Sequence, residues 1–106
     1  MSTISPFTFS QPIQGVQIKP LTQDGKAIRI RYTGMLELSG ANQVWMHAGF
    51  GGVEAWSDAK EYQMERTDEG WEHTVDVKDK QFNFCFRDDA QNWDNNNGVN
   101  WIYRIT

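Results

Sequence analysis

The chain has 106 residues, one domain's worth, with 10 Lys+Arg against 14 Asp+Glu and a net charge of −4. That acidic balance without a basic run argues against nucleic acid as a partner. The longest unbroken apolar stretch is three residues, against the ~20 that cross a bilayer, so no membrane partner is expected either.

Residues 1–11 read as a loosely ordered lead-in ahead of a module over 12–106. The first ten hold no Lys or Arg and no apolar h-region, so no secretory signal is expected there. The chain is then cytoplasmic if it is the whole protein and secreted if it is an excised module. From residue 14 onward, period-2 alternation predicts strands. Residues 14–19 set Val16 and Ile18 on one face, with Pro12 and Pro20 flanking them as at a sheet edge. Residues 27–32 alternate Ile28, Ile30 and Tyr32 with Arg29 and Arg31. Residues 43–47 place Val44 and Met46 inward and Trp45 and His47 outward. Residues 61–65, 71–77, 81–86 and 101–105 alternate in the same way. The sole stretch with a plausible helical turn is 58–64. Turn signals separate the strands at Gln23-Asp24-Gly25, Ser39-Gly40, 49–52, Asp68-Glu69-Gly70 and 95–98. About seven short strands without a convincing helix predict an all-β, antiparallel β-sandwich in a single domain, with no internal repeat and no linker.

Five tryptophans accompany a mean hydropathy of −0.66, so not every large ring is needed for the core. Trp71, Phe82, Phe84, Phe86, Trp101 and Tyr103 fall on alternating strand faces and read as interior. Trp56 and Trp93 do not. Each sits among polar loop residues, either as a plug that tucks back or as a flat, amphipathic binding platform. Asn95, Asn96 and Asn97 carry the same ambiguity. They can satisfy loop backbone, or offer uncharged donors and acceptors to a ligand rich in hydroxyls. Rings, amides and an imidazole together are what a carbohydrate site needs.

The segment Val44-Trp45-Met46-His47-Ala48-Gly49-Phe50-Gly51-Gly52, then Trp56, then Phe82-Asn83-Phe84-Cys85-Phe86-Arg87-Asp88, then Asn92-Trp93-Asp94-Asn95-Asn96-Asn97-Gly98 resembles the starch-binding modules of carbohydrate-binding family 25. The starch-binding modules of plant starch synthases share that outline. The resemblance covers roughly residues 14–105. It implies an immunoglobulin-like sandwich that binds α-1,4-linked glucans such as starch, glycogen and maltooligosaccharides, without catalysis and without a cofactor. By residue match it implies Trp56 and Trp93 as the ring platform, His47 as a flanking contact, and Asn95 and Asn96 as hydrogen-bonding or loop-shaping residues. Trp45 has no counterpart role and either extends the platform or packs on a neighbouring strand. Such modules accompany glucan-active enzymes, so an attached or separate enzyme is the expected partner.

Other readings are weaker. There is no nucleophile motif, His73 lies on a strand stripe, and Cys85 has only Arg87 as a basic neighbour in sequence, so no catalytic residue is assigned. A lone cysteine also excludes an internal disulfide and a cysteine-based zinc site. Asp88, Asp89 and Asp94 with the Asn run are oxygen-rich, but the spacing fails the EF-hand pattern and no metal ligands are assigned. The alternative of a different class is a protein–protein interaction module with exposed loop tryptophans.

Overall fold

The computed structural model describes residues 8–52, 56–96, 98 and 100–105. Among the described residues nine strands and one short helix follow in order: β1 (Val16–Pro20), β2 (Ala27–Tyr32), α1 (Met35–Leu38), β3 (Val44–Phe50), β4 (Ser57–Gln63), β5 (Glu65–Thr67), β6 (Gly70–Asp76), β7 (Gln81–Asp88), β8 (Trp93–Asp94) and β9 (Trp101–Arg104). They form two antiparallel sheets. One has the order β1-β2-β6-β5; the other has β4-β3-β7, with β8 and β9 both paired to β7. Taking β1, β2, β6 and β5 as strands A, B, E and D, and β4, β3, β7 and β8–β9 as C′, C, F and G, these are the orders of an immunoglobulin-like sandwich. The radius of gyration, 12.9 Å, is that of one domain of this length.

The alternation seen in the sequence is the alternation of burial. Ile28, Ile30, Tyr32, Val44, Met46, Phe82, Phe84 and Phe86 are fully buried between the sheets, joined by Trp71, Trp101 and Tyr103. With one cysteine, no disulfide can tie strands B and F. Tyr32 of β2 instead stacks on Phe86 of β7, with ring centroids 4.1 Å apart, and Trp101 closes on both rings edge-on. The N–H groups of the core indoles have partners within the protein: Trp71 Nε1 donates to Glu37 and Trp101 Nε1 to the Ile13 carbonyl. β1 is an edge strand, as its prolines predict. Within 1–11, residues 1–7 lie outside the described residues, while Phe9 packs under the Arg31 guanidinium and Ser10 bonds to Ile18.

Two local expectations fail. Residues 58–64 are not helical; nearly all of that stretch belongs to β4, an exposed edge strand held by its pairing with β3. Met64 then turns inward, its N–H bonded to the Val44 carbonyl, and carries the chain from one sheet to the other. The helix lies elsewhere, at α1. It is a single turn closed by a left-handed Gly40 (φ 80°), whose N–H donates to Glu37 while that of Ala41 donates to Leu36. That pair of bonds is the Schellman ending, and the left-handed residue is why a glycine stands there.

Candidate functional site

The outward face of the β4-β3-β7 sheet collects the residues that the core leaves out. Along β3, Trp45, His47 and Gly49 point outward while Val44, Met46 and Ala48 point in. Cross-strand register builds two rows on this face. Trp45 lies between Gln63 of β4 and Arg87 of β7, and Arg87 is in turn opposite Trp93 of β8. One step along, His47 lies between Glu61 and Cys85. β8 pairs with β7 at Phe86 and Arg87, and β9 pairs with it from Phe84 down to Gln81. The Asn-rich segment between β8 and β9 therefore leaves the sheet opposite Cys85, in the row that holds His47.

Gly49 is the seat of Trp56. A Cβ on Gly49 would lie 2.8 Å from Trp56 Cβ and 3.2 Å from its Cε3, closer than real side chains approach. The missing side chain lets the indole lie against the strand. His47 is then stacked beside Trp56, with centroids 5.7 Å apart and planes inclined by 29°. On its other side Trp93 meets it edge-on, at 5.8 Å and 88°. The two indole planes are thus inclined to each other by at least the difference of those angles, about 59°. Trp93 is 45% exposed and Trp56 half-buried. His47 Nδ1 is buried with no hydrogen-bond partner among the described residues; the nearest carboxylate oxygen, Glu61 Oε2, is 3.9 Å away. Glu61 itself takes two bonds from Arg87, at Nε 2.7 Å and Nη2 2.9 Å. Those bonds hold the Glu61 carboxyl below its usual range and the guanidinium above its own.

The loop around Trp93 is held by its acids. Asp88 accepts from the backbone N–H groups of Ala90 and Asn92 and from Asn92 Nδ2. Asp94 is buried and accepts from the Tyr32 hydroxyl and the Asn96 N–H. The Asp88 and Asp94 carboxylates are thus occupied within the protein, and among the described residues no three His, Cys, Asp or Glu side chains are gathered as a metal would require. Asn96 has a left-handed backbone (φ 55°) and donates Nδ2 to the Asn100 carbonyl. Exposed Asn95 accepts from the Gly98 N–H through Oδ1, and its Nδ2 has no hydrogen-bond partner among the described residues. Asn97 lies outside the described residues.

Of the residues singled out in the sequence, His47, Trp56 and Trp93 come together as one ring cluster, and Asn95 and Asn96 lie in the loop that follows Trp93. Sequence reasoning missed Gly49, the Arg87–Glu61 pair and the Asp94 tether. Gly49 was signalled by its parity with His47 along β3, the Arg87–Glu61 pair by parity on the neighbouring strands, and the Asp94 tether by nothing local. Cys85 is buried beside His47 in the same cross-strand row, and burial pushes its thiol up to about 11, away from the thiolate form. His73 is half-buried against Tyr62, and burial lowers its pKa.

A family model for a starch/carbohydrate-binding module, family 53, matches residues 28–84, just over half of the chain. The match includes His47, Gly49 and Trp56 and ends before Trp93. The starch-binding character agrees with the resemblance read from the sequence; the family number is 53 rather than 25. Comparisons with curated proteins and with solved structures return no significant match. The chain belongs to the family 53 starch/carbohydrate-binding modules.

Proposed function

We propose that this module binds α-1,4-linked glucans without catalysis, on the outward face of the β4-β3-β7 sheet. Trp56 and Trp93 would serve as the ring platform, His47 as the group between them, and Asn95 as a donor at its rim. The observation that carries this reading is the convergence of the three rings, each tryptophan within 5.8 Å of His47. A pyranose presents a face of C–H groups to a ring, so contact gains dispersion and removes apolar surface from water. Rings inclined by about 59° or more favour a curved chain over a straight one. The imidazole supplies a hydrogen-bonding edge between them. Asn96, whose amide is bonded to Asn100, shapes the loop.

An open platform of this size suits micromolar to millimolar affinity, roughly −4 to −8 kcal/mol after association costs. Attachment to a glucan-active enzyme, or many sites along one polymer, would raise the effective affinity. The test is a titration with maltooligosaccharides, and with cellooligosaccharides as the control of equal monomer and different linkage, followed by tryptophan fluorescence. A saturable response to the α-linked series alone, abolished in Trp56→Ala and Trp93→Ala with the fold intact, is expected. No response to either series, or parental binding by either variant, rejects the platform. In that case the exposed rings would be tested as a protein-contact surface.

A further inference from the structure

We propose that the platform continues along β3 to Trp45, which forms a further glucan subsite supported from below by Arg87. This inference rests on the platform reading above. Gly49, His47 and Trp45 are successive outward positions of one strand, spaced by roughly 6.7 Å. Trp56 occupies the first station by lying over Gly49, the imidazole the second, and the Trp45 indole the third. A chain running along the strand from Trp56 past His47 meets Trp45 next.

The bonding of the indoles separates Trp45 from the core tryptophans. Trp71 and Trp101 direct their N–H groups to protein acceptors. Trp45 is half-buried, its Nε1 has no protein partner among the described residues, and that atom is not among the buried unpaired ones. It therefore reaches solvent as an open donor. Across β4, the exposed Gln63 amide lies beside it, also without a partner among the described residues. A ring edge with a free N–H and a primary amide in one cross-strand row match the mixed donors and acceptors of sugar hydroxyls.

Arg87 has a different part. Its guanidinium lies 4.5 Å from the Trp45 ring centroid, its Nε and Nη2 are bonded to Glu61, and its side chain is 16% exposed. Its donors are engaged and mostly covered, so it orients the ring and does not take ligand. Arg87 is also the cross-strand partner of Trp93, so one residue supports both sides of the face.

The subsite predicts a dependence on chain length. Affinities for maltotriose and maltoheptaose are measured by calorimetry for the parent, Trp45→Ala, Trp45→Phe and Trp93→Ala, with melting curves for each. Trp45→Ala is expected to match the parent on maltotriose and to lose about fivefold on maltoheptaose, the scale of one aromatic contact. Trp45→Phe keeps a ring over Arg87 and guards against a folding defect; it should lose part of that increment, again on the long chain alone. Equal loss at both lengths would make Trp45 structural, and no loss at either would make it a bystander; each overturns the subsite. Parental affinity in Trp93→Ala, or no binding by the parent, instead rejects the platform on which the subsite rests.

Discussion

The Tyr32 hydroxyl donates to Asp94 Oδ2 at 2.5 Å across the interior, joining the second strand of one sheet to the two-residue strand that carries Trp93 in the other. The Tyr32 hydroxyl oxygen in turn accepts the Leu36 N–H at the start of α1. Burial first, and the Asp94 bond second, push the Tyr32 hydroxyl far above a tyrosine's usual pKa, which favours its protonated, donating form. A candidate binding ring at the surface is thereby tied to the core.

Tyr32→Phe tests that tie. It keeps the stack on Phe86 and removes the oxygen alone, leaving the Asp94 carboxylate and the Leu36 N–H without their partner. The expected loss is about 2–3 kcal/mol of stability, read as a lower urea midpoint. Glucan affinity should fall severalfold as well, because Trp93 adjoins the loosened residue. A variant with parental midpoint and parental affinity would show that the bond contributes nothing net.

Gly49→Ala tests the seat of Trp56. Gly49 is not in the left-handed region, so alanine suits the backbone and the effect reports contact. The new methyl group would meet Trp56 Cβ at 2.8 Å and the Ser57 carbonyl oxygen at 3.2 Å. Glucan affinity is expected to fall about tenfold, with a stability cost of ~1–3 kcal/mol from overpacking. In a Trp56→Ala background the same substitution should cost little further affinity, since the two residues act through one contact. Independent losses in the double variant would contradict the seat.

The sequence made the faces of the strands legible, and with them the separation of Trp45 and His47 from Val44 and Met46. Large rings on one parity and polar residues on the other leave little choice of register, because a one-residue slip would expose Phe82, Phe84 and Phe86 together. It showed only the second part of β4, at residues 61–63, because that strand's residues are almost all exposed and it exists through pairing with β3. It hid α1, a single turn too short to show a period and made by its Gly40 ending and the Tyr32 hydroxyl. Of the candidate site, the rings were visible as apolar residues in polar surroundings. Their convergence on His47 was not, because cross-strand pairing brings Trp93 into the adjacent row and a missing Cβ on Gly49 seats Trp56.

Asn95 and Asn96 should separate on substitution. Asn96→Ala loses the bond to the Asn100 carbonyl and places alanine at φ 55°, so it is expected to lower both stability and affinity. Asn96→Gly relieves the backbone cost and should recover part of the stability. Asn95→Ala is expected to reduce affinity severalfold with a smaller change in melting temperature, since the residue is exposed and its Nδ2 has no partner among the described residues. Equal behaviour of Asn95→Ala and Asn96→Ala in both measurements would remove the distinction between a contact and a loop former.

Acid should weaken the fold in two separate windows. Burial, helped by the charge of Arg29, holds the His73 pKa below the usual 6.5. The unfolded chain then takes up that proton at higher pH than the native one, so the stability is complete above about 6.5 and lost as pH falls below it. Glu72 comes next. Burial alone would raise its pKa, but bonds from Arg29, Thr67 and Arg31 together hold it below 4.5. Its contribution is complete above about 4.5 and is lost as pH falls further. Urea midpoints measured from pH 7.5 to 3 should therefore drop once as pH falls through about 6.5 and again as it falls below about 4.5. His73→Gln should flatten the first drop and leave the second. Glu72→Gln should lower the midpoint at pH 7 and shrink the second drop, without erasing it, because Asp24, Glu61 and Asp88 are held low by their own hydrogen bonds. A parental midpoint that stays level from pH 7.5 to 5.5 would mean that His73 accepts its proton as readily in the fold as out of it.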